Sequence, residues 1–193
     1  MSLILASNSA IRRDMLTQAG LGFEVEAPLF DEKTVKEGHV GDDASLARLL
    51  AEGKAASLQT GGDDWVIGSD SVVSVDGVRY SKPKDREQAA EHLRAFSGRT
   101  MLLSSAVALA NSGKIGWSHP ETARLEVRPL NEKFIQDYLD AEWPEVGYCV
   151  GVFRMEGRGV TLFDRIEGNY FAILGMPLLP LLGALRDRGL MAA

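Results

Sequence analysis

Four consecutive apolar residues, Leu3-Ile4-Leu5-Ala6, run directly into Ser7-Asn8-Ser9 and then into a helical pattern. No other feature restricts the fold as much. A run that is apolar at every position, rather than at alternate ones, fits a strand covered on both faces. Three good cap residues in a row let the chain turn at once from strand to helix. Ile11, Met15, Leu16 and Ala19 then share one helix face, and Gly20 closes it. A buried strand feeding a helix is a building unit of α/β architectures.

The rest of the chain continues in that style. Asp42-Asp43 starts a second helix, with Leu46, Leu49, Leu50 and Leu58 as its apolar stripe, and Gly61-Gly62-Asp63-Asp64 is a loop. Trp65–Val75 reads as a strand with a polar break at Ser69-Asp70-Ser71, and Asp76-Gly77 is a hairpin turn. Arg86–Phe96 is a helix stopped by Gly98. Thr100–Ala110 is a long strand that Asn111-Ser112-Gly113 turns into another. Asn131 caps a helix containing Phe134, Ile135, Tyr138 and Leu139. Val146–Ile166 is expected to hold two or three strands, and Pro177 starts a last helix that ends near Gly189. Alternating helices and strands with several hairpins give an α/β or α+β sandwich with a mixed sheet. Without a repeat or Pro-rich tether, residues 1–193 are expected to form a single domain, of two closely packed lobes at most.

The composition excludes several classes. The net charge of −6 argues against non-specific nucleic-acid binding, which needs a basic face. No apolar run approaches the roughly 20 residues of a membrane helix, and no leader is expected before Leu3. The single cysteine, Cys149, suits a reducing compartment and reads as a small buried hydrophobe, so a cytoplasmic location is expected. His39, His92 and His119 have no zinc-like spacing and read as surface or structural residues.

Five features carry potential chemistry, each with a plainer alternative. The strand–SNS–helix turn offers free N–H groups and a partial positive charge to an anion. Arg12 and Arg13 oppose that dipole by a few tenths of a kcal/mol each; a phosphate would reverse the penalty, unless both simply face solvent. Lys54 interrupts the face formed by Leu46, Leu50 and Leu58, so it either snorkels out or lines a cleft. Asp70 lies among apolar strand residues and needs a partner, a metal or protonation, unless it bonds Ser69 or Ser71 locally. Lys82 is held extended by Pro83, aimed at a site or exposed as Lys84 is. Asp31-Glu32 suits a hard cation such as Mg²⁺ if it is more than a solvated pair. Together they form the inventory for phosphoryl-type hydrolysis.

At this point the sequence resembles the Maf family of nucleotide pyrophosphatases. The matching segments are LASNSAIRRDML (Leu5–Leu16), Asp31-Glu32, the Ala51/Lys54/Ala55 helix, GSDSVV (Gly68–Val73), KPKDREQA (Lys82–Ala89), LRAFSGRT (Leu93–Thr100) and EGRGVTLFDRIEGNYFAILGMPL (Glu156–Leu178). The resemblance implies an inosine-triphosphatase-like two-lobed α/β fold with a central cleft, often dimeric. It implies hydrolysis of a nucleoside triphosphate to monophosphate and pyrophosphate with a divalent metal, Mg²⁺ or Mn²⁺. It also links the chain to removal of non-canonical nucleotides and to septum formation. By the same resemblance Ser7 and Arg12 are phosphate contacts, Glu32 a metal ligand, Lys54 and Lys82 phosphate-binding lysines, and Asp70 the general base and a metal ligand.

Three positions are implied to select the base: Ile11, Ser71 and Glu156. Ile11 and Glu156 lean to a branch acting on 7-methyl-GTP, as does the run GVTLFDRIEG. Ser71 fits a dTTP/UTP branch better, and the segment around Tyr148-Cys149 departs from the usual pattern. A carboxylate at Glu156 can accept hydrogen bonds from a guanine edge. The expected reading is a modified-purine pyrophosphatase, with a dTTP/UTP enzyme as the alternative. A nucleotide-binding regulator of division with little turnover is the alternative from another class.

Overall fold

The computed structural model describes residues 2–192. In chain order the elements are β1 (Leu3–Ala6), α1 (Ala10–Gln18), β2 (Glu24–Glu26), α2 (Glu32–Gly38), α3 (Asp43–Ala56), β3 (Trp65–Val75) and β4 (Val78–Tyr80). They continue with α4 (Arg86–Phe96), β5 (Thr100–Asn111), β6 (Lys114–Val127), α5 (Glu132–Glu142), β7 (Phe163–Glu167), α6 (Tyr170–Ile173) and α7 (Leu178–Arg186). The hydrogen-bonded strand order is β2-β1-β3-β5-β6-β7, with β4 on β3. β1 runs parallel to β2 and β3, whereas β4 on β3 and β7 on β6 are antiparallel. The expected mixed-sheet α/β class is what forms.

The chain divides into two compact units. The first comprises Met1–Ser71, Ser104–Glu121 and Asn169–Ala193. Its centre is β1, and the apolar run explains itself there. Leu3 and Leu5 join a core with Met15 and Leu16 of α1, Ile67 of β3, Val107 and Leu109 of β5, and Leu181 and Leu185 of α7. Ile4 and Ala6, on the other face, meet Leu58 and Val66. A strand with hydrophobic cover on both sides can spare no polar position.

α3 approaches β3 unusually closely. A Cβ on Gly68 would lie 2.2 Å from the Ala51 carbonyl oxygen and 2.4 Å from the Ala55 nitrogen. Small residues on both sides, Gly68 against Ala51 and Ala55, make that approach possible. The face of α3 holding Leu46, Leu50 and Lys54 is buried, and Leu58 is buried just past the helix end. Leu49, read as part of the stripe, is instead exposed, because it lies away from that face.

The second unit comprises Val72–Leu103 and Thr122–Gly168. Leu93 and Phe96 of α4 and Ile135 and Leu139 of α5 are buried in it. Surface ion pairs join the same helices, Arg86 to Asp140 and Arg94 to Glu132. Asn131 caps α5 as read, accepting from the Phe134 N–H at 2.8 Å.

Several local expectations change. Asp31 and Glu32 start a helix that was not expected from the sequence: Asp31 caps α2 by accepting from the Lys33 N–H, and Glu32 opens it. β3 is continuous through Ser69-Asp70-Ser71. Val146–Ile166 holds one strand start, that of β7, preceded by two short 3₁₀ turns at Glu145–Tyr148 and Arg158–Leu162. The apolar residues there are packed one by one: Val146, Val152 and Leu162 are buried without a ladder. β2 and α6 carry no strong periodicity and went unread.

Candidate active site

Seven of the site residues expected from the sequence belong to the first unit, and six of them, all but Ile11, converge. Arg12 sits in the first turn of α1, yet it does not face solvent. Its side chain is buried, and its guanidinium donates to the carbonyls of Ser69 (2.8 Å) and Gly175 (3.0 Å). Longer contacts reach the hydroxyls of Ser71 (3.4 Å) and Ser7 (3.5 Å). Burial lowers its pKa, while the charges of Asp70 and Glu32 act the other way. A buried cation held by neutral carbonyls keeps its charge available to an anion. Arg13, by contrast, is exposed.

Ser7 is also buried, and its hydroxyl accepts from the Ser9 N–H at 3.2 Å. Ser9 is the N-cap residue but its own side chain makes no capping bond. The first turn of α1 carries no acid, whereas α2, α3, α4 and α5 each carry one there. The positive end of α1 is thus left uncompensated by protein.

Lys54 neither snorkels nor stands alone. Its residue is 8% exposed, and its ammonium lies 2.7 Å from Glu32 Oε1 and 3.1 Å from Asp70 Oδ2. The other Glu32 oxygen is bound by Lys36 at 2.6 Å. Partial burial pushes the Glu32 carboxyl up, but hydrogen bonds from Lys36 and Lys54 outweigh it and bring the pKa down to about 2. Asp70 combines both readings of it. Oδ1 accepts from the Ser71 N–H at 2.8 Å, the local bond. Oδ2 is buried and faces Lys54 without an aligned hydrogen bond.

The geometry also names residues that periodicity did not. The Gly175 carbonyl accepts from Arg12 and, at 2.9 and 3.3 Å, from the hydroxyls of Ser69 and Ser71. Ser105 is fully buried, and its hydroxyl meets that of Ser71 at 2.8 Å. Gly53 gives room to the Phe30 ring: a Cβ there would lie 2.2 Å from it. Phe30 precedes Asp31-Glu32, so this packing seats the segment carrying the acid. Small residues in an apolar context were the signal; spacing alone gave them no chemistry.

Ile11 is half-buried on α1. Lys82 and Glu156 belong to the second unit and are both exposed. There both act electrostatically on Cys149, Glu156 raising its pKa and Lys82 lowering it. Burial is the larger influence and pushes that thiol up to about 11, which leaves it little thiolate, although the residue is half-buried and not the small buried hydrophobe expected. Arg154 lies 3.7–3.9 Å from Glu142, Glu145 and Glu156.

The first unit therefore gathers two buried cations, two acids and an open helix N-terminus on residues of the expected motifs, and the sequence matches the Maf-like protein family over residues 2–188. The chain belongs to the Maf-like family. Its relatives include the "7-methyl-GTP pyrophosphatase" of Rhizobium meliloti (strain 1021), 44% identical and aligned over 97% of this chain and 96% of that one. The "Nucleoside triphosphate pyrophosphatase" of Gluconobacter oxydans (strain 621H) is 38% identical over 100% of this chain and 97% of that protein. Among solved structures, the Staphylococcus aureus Ham1 protein aligns with 66% of this Maf-like chain and 72% of its own, at 17% identity and a TM-score of 0.42.

Proposed function

We propose that this chain hydrolyses a nucleoside triphosphate between its α and β phosphates, releasing a nucleoside monophosphate and pyrophosphate. The observation that carries the reading is the burial of Arg12 and Lys54 beside Glu32 and Asp70. Buried charge adds little net stability, since the desolvation penalty rivals the attraction. The names of the relatives support the same reaction.

Glu32 and Asp70 would hold a divalent cation. The fit rests on Asp70 Oδ2, a buried acceptor with no hydrogen bond, turned to the same point as a Glu32 oxygen. Among the described residues no group of three or more metal-ligating side chains occurs. Two carboxylates with the remaining positions left to water and phosphate suit Mg²⁺ or Mn²⁺. When bound, such a cation supplies charge neutralisation at the phosphates.

The chain's own residues do the rest. Ser7, the amides at the start of α1 and Arg12 bind phosphate oxygens. Asp70 takes the proton of the attacking water at Oδ2, while its bond from the Ser71 N–H fixes the carboxylate plane. Arg12 stays in place as charge develops because two carbonyls already hold it.

The base favoured is a modified purine, 7-methyl-GTP in the first instance. A half-buried Ile11 and an acid at Glu156 support that choice over dTTP or UTP. A turnover screen over 7-methyl-GTP, GTP, CTP, UTP and dTTP tests it, and equal rates on UTP and 7-methyl-GTP would overturn it. Asp70→Asn is expected to cut pyrophosphate release by about 10²–10⁴-fold, the usual worth of a general base. Near-normal turnover in that variant would remove Asp70 from the chemistry. Nucleotide binding without release by the native protein would favour a regulator instead.

A further inference from the structure

We infer that Lys54 is a resident counter-ion: its ammonium closes the Glu32–Asp70 acid pair to divalent metal until phosphate draws the lysine away. This rests on reading those acids as the metal seat, but it concerns the protein before any nucleotide arrives.

The geometry is specific. One ammonium lies within 3.1 Å of both carboxylates, at 2.7 Å from Glu32 and 3.1 Å from Asp70. A cation bridging the same two oxygens would need the same space. Lys36 takes the other Glu32 oxygen at 2.6 Å, so neither oxygen of that carboxylate is unclaimed. The two acids are therefore already matched by two lysines. A dication entering while Lys54 stayed would meet a like charge a few ångströms away, with little water to screen it.

The lysine is seated from its root. α3 lies directly against β3 at Gly68, leaving no room there for a Cβ, so the base of the Lys54 side chain is fixed beside Asp70. What can move is its flexible four-carbon stem. Triphosphate oxygens offer that ammonium a stronger acceptor than a carboxylate shared with Lys36. Once Lys54 turns to phosphate, Glu32 and Asp70 are released together. Asp70 Oδ2 in particular has no other hydrogen bond to break. Metal and nucleotide should thus bind as a unit, and metal alone weakly. One residue would then serve as placeholder in the free protein and as phosphate ligand in the complex.

The test uses the full chain without nucleotide and Mn²⁺ as the probe, its binding followed by electron paramagnetic resonance of the free ion. Lys54→Met should bind Mn²⁺ at least about tenfold more tightly than the native protein, because a competing charge has gone. Adding Asp70→Asn to that variant should abolish the gain. Lys36→Met, which frees only one exposed partner, should tighten binding about two- to threefold. Mn²⁺ should raise the Tm of Lys54→Met more than that of the native chain. Should Lys54→Met not fold, Lys54→Gln and Lys36→Met decide the matter. Binding no tighter than native in the folded lysine variants overturns the inference. Pyrophosphate release by the native protein is a separate reading. A gain in Mn²⁺ affinity without any release keeps the placeholder and removes the proposed reaction; release without the gain does the reverse.

Discussion

The charged groups around α1 and α3 of the first unit and those on α4 and α5 of the second are used in opposite ways. In the first, Arg12 and Lys54 are buried, Arg12 held by the carbonyls of Ser69 and Gly175 and Lys54 by Glu32 and Asp70. In the second, the ion pairs of α4 and α5, such as Arg94 with Glu132 and Glu87, are exposed. Exposed pairs gain little, because water solvates the separated charges nearly as well. Buried ones are expensive to arrange and collapse if one partner goes. On the proposed function, the difference separates the residues that would meet phosphate and metal from those that join helices.

That contrast can be broken at its root by Gly68→Val. Backbone atoms 2.2 and 2.4 Å from the new Cβ must shift, lifting α3 from β3. The expected loss is about 3 kcal/mol or more of stability, at or beyond the usual range for overpacking. Pyrophosphate release should fall with it, since Lys54 moves away from Asp70. A melting curve and a turnover assay check both; a native-like Tm would show that the approach is not rigid.

Ser105→Ala sharpens the contrast with a smaller change. It removes a buried hydroxyl from the chain Ser105–Ser71–Gly175, at about 1 kcal/mol. Turnover should drop modestly and Ser105→Thr should restore it, as pure packing loss would not require. If Ser105→Thr behaves like alanine, the hydroxyl is incidental.

Acid probes the same site without a change in the fold's packing. Glu32 ionises at about 2 in the folded chain against an ordinary 4.5. A depressed carboxylate stabilises above 4.5 and loses that contribution as pH falls through about 2. The Tm difference between native protein and Glu32→Gln should therefore shrink over that interval. A difference independent of pH would mean that the lysines do not hold this carboxylate.

The smallest effect belongs to the second unit. Arg94→Ala should leave turnover unchanged and lower the Tm only slightly, less so at high salt. A large loss there would erase the distinction between the units.

Much of this was legible from residue order. Periodicity located α1, α3, α4 and α5, and the turn chemistry of Asp76-Gly77 placed the β3–β4 hairpin correctly. Asp70 stood out because an acid within an apolar strand demands a reason. What sequence did not show was adjacency. Nothing in its spacing said that Lys54 would reach both Glu32 and Asp70, because that depends on how closely a helix can approach a strand at a glycine. Val146–Ile166 misled for a related reason. Its apolar residues resemble strands, yet they are buried singly within turns, where tertiary packing rather than pairing consumes them. Ser69, Ser105 and Gly175 were invisible as chemistry because they contribute serine hydroxyls and backbone carbonyls, groups that occur throughout the chain.

The Gly175 carbonyl has a consequence in time. Arg12 is made well before the acceptor for its Nε, which lies 163 residues later. A nascent chain that already holds Glu32, Lys54 and Asp70 can offer the guanidinium the Ser69 carbonyl, but its Nε has no acceptor until Gly175 is made. The seat of Arg12 is therefore completed last, when the segment after β7 folds back.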